Sequence, residues 1–219
     1  MFHKNKNNPF KYYDPRSLGC YSNLKVPNNI IIPTTDEGAW EYFDKYRWVY
    51  NKIEIALSQG MNCAPMGLSP KKFPVFMKPI CNLHGAGVGS RILQSKEDYE
   101  KNMRLSGYFW MEYLDGEHLS HDLILANDEI VYLITFKGRS LGDGMFDYWE
   151  TVETPDNILE YIKSWIEKNL RGYTGCVNIE TIKNKIIECH LRMGDIDRLG
   201  NLQLMQNIVG IYSGKKWDF

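Results

Sequence analysis

A hairpin near the C-terminal end constrains this chain more than any other segment. Cys176-Val177-Asn178-Ile179-Glu180-Thr181-Ile182 is rich in β-branched residues, Lys183-Asn184 supplies a two-residue turn, and Lys185-Ile186-Ile187-Glu188-Cys189-His190 follows as a second run. Strands joined so tightly can pair only antiparallel, because a parallel partner needs a crossover of about a dozen residues. A second unit of the same kind joins His121–Leu125 to Glu129–Phe136 through Asn127-Asp128. Helical periodicity sits in separate blocks, at Asp156–Asn169 with Ile158, Leu159, Ile162, Trp165 and Ile166 on one side, and at Leu199–Ile211. Strands in hairpins with helices in blocks predict an α+β fold and argue against a doubly wound parallel sheet.

The first half adds a helix opened by Thr35-Asp36-Glu37, whose apolar positions run through Trp40, Phe43, Trp48, Ile53, Ala56 and Leu57 to a stop at Gly60. One long helix or two consecutive ones are expected there. Phe73–Pro79 reads as a strand, Gly85-Ala86-Gly87-Val88-Gly89-Ser90 as a glycine-rich loop, and Ser95 as the cap of a helix with Asp98 three positions on. Tyr108–Leu114 reads as a strand ended by a turn at Asp115-Gly116. Residues 1–35 show little periodicity apart from Asn29–Pro33, which predicts one short strand. No internal repeat is present.

Lys and Arg number 26 against 27 Asp and Glu, a net charge of −1, so no global field draws the protein to nucleic acid or to an anionic membrane, and neither partner is expected. The longest apolar runs, near Asn28–Pro33 and Tyr108–Leu114, fall far below the roughly 18–20 residues that span a bilayer. The polar start Met1–Asn8 reads as no secretory signal. Five scattered cysteines, none in a C-x-x-C pair, predict reduced thiols in the cytoplasm, with Cys176 and Cys189 in the core.

Strand residues two apart share a face, so Asn178 projects with Glu180, and Glu188 with His190 and Arg192. Should the two faces coincide, paired carboxylates call for a cation between them, and their hard oxygens favour Mg²⁺. The wet side of an antiparallel sheet accommodates the same residues. The loop after Lys78 brings Gly85, Gly87, Gly89 and Ser90 together, so backbone amides can turn toward an anion beside the Lys78 charge. It matches neither the P-loop nor the dinucleotide fingerprint, and a glycine-rich surface turn explains it equally.

Taken in order, Asn51–Gly60 with Ala64-Pro65, Phe73–Pro79 with Lys78, the loop through Gly89-Ser90, Met111–His118, Thr174–Glu180 and Ile187–Arg192 resemble the ATP-grasp superfamily over residues 50–212. The resemblance implies two α+β subdomains enclosing a nucleotide cleft: an N-terminal arm and reduced pre-grasp region over 1–48, a small subdomain with a glycine-rich lid over 49–110, and a large subdomain with the metal site over 111–219. It implies that Lys52 and Lys78 hold phosphates under a lid of Gly85, Gly87, Gly89 and Ser90. Glu112, Tyr113 and Leu114 fall on the strand that meets adenine, Glu117 or His118 at the ribose, and Lys137 and Arg139 where a further phosphate-facing cation is found. Glu180, Glu188, His190 and Asn178 match the metal-binding positions, and Arg192 with Lys78 the groups on the transferred phosphate.

Three departures stand out: Met111 in place of a polar residue beside adenine, His190 in place of an amide, and a truncated N-terminal domain. Imidazole is a poorer Mg²⁺ ligand than oxygen, so Mn²⁺ enters beside Mg²⁺ as a candidate. The implied activity is an ATP-dependent ligase acting on a small-molecule or peptide carboxylate, with an acceptor site that is reduced, open, or supplied by a second copy or another chain. A fold that has lost the chemistry and now only binds, or a small-molecule kinase, is the alternative.

Overall fold

The computed structural model of the chain describes residues 24–83, 87, 89–142, 145–194 and 201–218. Helix α1 (Asp36–Tyr42) begins where Thr35 caps it, the hydroxyl accepting from the Gly38 amide at 3.2 Å. Of the two expectations for this stretch, two consecutive helices is the one that holds. A 3-10 turn at Arg47–Tyr50 intervenes, and the Asn51 side chain accepts from the Ile53 amide at 3.2 Å to open a separate helix, α2 (Lys52–Leu57). Asparagine competes for backbone donors and so favours a cap over a helix interior. The apolar period therefore spans two helices, although the backbone between them is broken.

Strands β1 (Cys63–Pro65), β2 (Val75–Pro79), β3 (Arg91–Leu93) and β4 (Tyr108–Glu112) form one antiparallel sheet in the order β1-β4-β2-β3, with helix α3 (Lys96–Asn102) between β3 and β4. Strands β5 (His118–Ala126), β6 (Glu129–Gly142), β7 (Met145–Val152), β8 (Gly175–Ile182) and β9 (Lys185–His190) form a second, ordered β7-β6-β5-β8-β9. Helix α4 (Asp156–Asn169) lies between β7 and β8, and α5 (Leu202–Tyr212) follows β9. Both two-residue hairpin turns take the left-handed backbone that such turns need, with φ of 52° and 63° at Asn127 and Asp128 and 50° and 58° at Lys183 and Asn184. Strands β4 and β5 belong to different sheets, so the expected turn around Asp115-Gly116 is the link that crosses between them. The strand expected at Asn29–Pro33 does not form; Ile30 and Ile32 instead pack with α5.

Each sheet packs one face on a helix. In the first, Val75, Met77 and Trp110 pack on Tyr99 of α3, which turns Phe76, Lys78 and Met111 to the opposite side. In the second, Leu119, Leu123, Val177, Ile179 and Cys189 meet Ile158, Ile162, Trp165 and Ile166 of α4. On its other face, Ile124 and Cys176 are covered by α5, and the part beyond α5 carries Glu180 and Glu188. Gln59, just after α2, joins the halves: its amide nitrogen donates to the Ile186 carbonyl at 2.7 Å and its oxygen accepts from the Ile186 amide at 2.7 Å. It thereby pairs edge strand β9 as another strand would. Among the described residues no helix is long and apolar enough to cross a membrane.

Candidate active site

A cavity of about 640 Å³ lies between the two inward faces and the link that joins them. Its apolar end is made by Phe76, Ile92, Met111, Leu114 and Ile187, and its charged end by Lys78, Glu180, Glu188, His190 and Arg192. The hairpin produces the charged end through an irregularity between Glu180 and Thr181, which shifts the pairing by one residue so that Glu180 stands opposite Glu188 and Asn178 opposite His190. Directly opposed residues of an antiparallel pair point the same way. One donor atom each from Glu180, Glu188 and His190 fall within 4.8 Å of one another.

Carboxylates at this distance need compensating charge, and the protein supplies it from both sheets. Lys52 Nζ, at the first residue of α2, donates to Glu188 Oε1 at 2.7 Å. Lys78 Nζ on β2 lies 3.7 Å from the same oxygen and donates to the Ile187 carbonyl at 2.8 Å. His118 Nε2 lies 2.8 Å from Glu180 Oε2, and His190 Nε2 lies 3.4 Å from Glu188 Oε2. Burial pushes the Glu188 carboxyl up, but the Lys52 and Lys78 charges outweigh it and hold the group well below its usual range. Burial pushes the Lys78 ammonium down to about 8, against the pull of Glu188.

Sequence reasoning gave no sign of Asp36, which is 4% exposed and organises the rim of this cluster. Its Oδ1 lies 3.1 Å from His190 Nδ1 and 3.0 Å from Arg192 Nε, and its Oδ2 accepts from Arg192 Nη2 at 3.1 Å. The Tyr50 hydroxyl donates to Oδ1 at 3.2 Å. Burial favours the neutral acid, yet the charges and hydrogen bonds of His190 and Arg192 outweigh it and keep Asp36 ionised. For His190 burial likewise acts downward, and Asp36 outweighs it, raising the imidazole to about 9.

No family model and no curated protein matches the sequence. The structure does have counterparts. It aligns with N5-carboxyaminoimidazole synthetase from Staphylococcus aureus, solved with ADP, at TM-score 0.64 and 12% identity, covering 86% of this chain and 61% of that one. Phosphoribosylamine–glycine ligase from Thermotoga maritima aligns at TM-score 0.62 and 17% identity over 88% of this chain and 63% of the other. L-amino acid ligase from Bacillus licheniformis aligns at TM-score 0.58 and 15% identity over 81% and 52%. The chain thus spans between about half and two-thirds of the length of these proteins. This is an ATP-grasp fold.

Within the ATP-grasp cleft most of the residues singled out from sequence come together. Lys78, Gly87, Ser90, Glu112, Tyr113, Leu114, Glu117, His118 and Lys137 line it with Glu180, Glu188, His190 and Arg192. Lys137 pairs with Glu117 at the rim. Lys52 reaches the site through Glu188. Arg139 is placed elsewhere, with its guanidinium over the Tyr148 ring. Asn178 is not among the residues lining the cavity; its amide donates to Ser120 Oγ and Asp122 Oδ1, both at 2.9 Å, tying β8 to β5. Gly85 lies outside the described residues. Gly89, with φ of 82°, does not line the cavity; its Cα packs against Tyr108, where a Cβ would come 2.3 Å from the hydroxyl.

Phe146 and Trp149 of β7, absent from the sequence-based set, wall the cleft beside His118, with ring centroids 4.8 and 5.7 Å from the imidazole. Gly138 makes room for them, since a Cβ there would lie 2.5 Å from Phe146 Cδ1.

Proposed function

We propose that this chain is an ATP-dependent ligase that activates a carboxylate as an acyl phosphate and transfers the acyl group to an amine or similar nucleophile. The observation that carries the reading is the meeting, in one cleft of an ATP-grasp fold, of buried Lys78 from one sheet with opposed Glu180 and Glu188 from the other. The apolar end bounded by Phe76, Ile92, Met111 and Ile187 suits a flat base, with backbone groups of Glu112–Leu114 at its edge. Glu117 or His118, both on the cavity wall, would meet the ribose hydroxyls.

Glu180, Glu188 and His190 fit a divalent cation on their own chemistry: two carboxylates and an imidazole converge, their charge now offset by ammonium groups that can turn to a phosphate. When bound, such an ion, Mg²⁺ or Mn²⁺, offsets triphosphate charge and polarises the γ-phosphoryl group. Lys52 and Lys78, released from Glu188, hold the phosphates, while Arg192 is kept in line by Asp36. The substrate carboxylate oxygen bonds to the γ phosphorus as the bond to the bridging oxygen breaks, releasing ADP. The nucleophile then attacks the acyl carbon, loses its proton, and displaces phosphate.

The test is incubation with Mg-ATP and pooled carboxylates and amines. Release of ADP and phosphate only when both acceptors are present is the expected result. ADP without free phosphate identifies a kinase, and saturable nucleotide binding without hydrolysis identifies a binding module; either refutes the ligase assignment.

A further inference from the structure

We propose that His190, oriented by the buried carboxylate of Asp36, makes the cation site of this cleft select Mn²⁺ over Mg²⁺. The inference rests on the reading of Glu180, Glu188 and His190 as a cation site and goes beyond it by naming the ion and the residue that sets the choice.

Asp36 is a carboxylate, an acceptor only, and its Oδ1 faces His190 Nδ1 at 3.1 Å. That contact keeps an N–H on Nδ1 and turns Nε2 to the cleft, 3.4 Å from Glu188 Oε2; a cation bound there would take the place of the Nε2 proton, which passes to solvent. Asp36 cannot swing away, because two guanidinium nitrogens of Arg192 and the Tyr50 hydroxyl hold it from other directions. The Tyr50 ring also meets the imidazole edge-on, with centroids 6.2 Å apart. A carboxylate behind a histidine whose other nitrogen faces a cation is the arrangement that fixes tautomer and ring angle and raises ligand basicity. Asp36 is thus a positioning residue, contributed by α1 to a site built on β8 and β9.

The donor set then decides the ion. Mg²⁺ takes oxygen ligands and tolerates an imidazole poorly, whereas Mn²⁺ accepts oxygen and also binds imidazole nitrogen. The preference is one between these two ions, since at a site of two carboxylates and an imidazole affinity rises from Mn²⁺ toward the later first-row metals.

The test titrates the full chain with Mn²⁺ followed by electron paramagnetic resonance, alone and with the β,γ-imido analogue of ATP, and then competes with Mg²⁺. The bound Mn²⁺ echo should carry nitrogen modulation from a coordinated imidazole, and His190→Asn should abolish it. The ratio of Mg²⁺ to Mn²⁺ dissociation constants should fall about tenfold in His190→Asn. Asp36→Asn should weaken Mn²⁺ about 10–100-fold while shifting Mg²⁺ far less, whereas a general collapse of the site would weaken both. Should Asp36→Asn fail to fold, His190→Asn, which keeps the Asp36–Arg192 pair, carries the test. An unchanged ratio, no nitrogen modulation, or no Mn²⁺ binding overturns the proposal. Failure of the analogue to bind counts against the ligase reading alone, since the nucleotide-free arm still decides the choice of ion.

Discussion

Glu188→Gln removes one charge from the point where both sheets meet, and its cost can be worked from the contacts. At an effective dielectric of ~20, charges 2.7 and 3.7 Å apart attract by roughly 6 and 4 kcal/mol, the gross pull of Lys52 and Lys78 on Glu188. Desolvation of the partners offsets much of this, but stripping the anion from buried cations leaves them uncompensated, which costs about 3–5 kcal/mol. Lys52→Met should cost less, about 1–2 kcal/mol, because Glu188 keeps Lys78 and His190. Urea unfolding at neutral pH, read as the shift in midpoint at constant slope, measures both. Turnover of Glu188→Gln should fall about 10²–10³-fold in the folded fraction. The reasoning is refuted if Glu188→Gln stays within about 1 kcal/mol of the parent, the range of a surface change, or if Lys52→Met proves the costlier substitution.

His121 is fully buried between the Thr135 and Thr181 hydroxyls at 2.8 and 2.9 Å, and burial lowers its pKa from 6.5 to about 4. Below pH 6.5 the unfolded chain takes up a proton that the folded one refuses, so stability should fall by about 3 kcal/mol between pH 6.5 and 4. Denaturation across that range should show this loss relative to His121→Gln, and parallel curves for the two proteins would contradict it. Gly194→Ala should destabilise by about 1–3 kcal/mol, since its Cβ would stand 2.3 Å from Asp122 Oδ1 and 2.8 Å from Asn178 Nδ2; an unchanged melting midpoint would show that this packing yields freely. Gly138→Val should drive Phe146 from its place beside His118 and shift Trp149 fluorescence; a spectrum identical to the parent's argues against the aromatic wall.

A two-residue turn alone would set Glu180 against Ile187, and the register shift between Glu180 and Thr181 that brings Glu188 onto its face was not legible; the hairpin itself was, from its turn and its period of two. Lys78 was legible for a similar reason, as a polar residue on an apolar strand beside a glycine-rich loop. Strands β1 and β3 have three residues each, too few to display any period. Strand β7 reads Met-Phe-Asp-Tyr-Trp-Glu-Thr-Val, with aromatic residues on both parities, so no alternation marks it and Phe146 and Trp149 went unseen. Asp36 follows a helix cap, where an acid is already explained by the first-turn amides. Its charged partners His190 and Arg192 lie more than 150 positions away, a distance no local pattern spans. The break at Asn51 was hidden because helix caps and polar helix faces draw on the same residue types.

The Gln59 clasp on β9 has a mechanical meaning. A side chain that fills both hydrogen-bonding groups of one edge residue, while itself accepting from the Tyr161 hydroxyl at 2.8 Å, acts as a rivet between the end of α2 and the edge of the five-stranded sheet. With that edge fastened, drawing α2 away from β9 has to break both bonds at once, and no further strand can pair at Ile186.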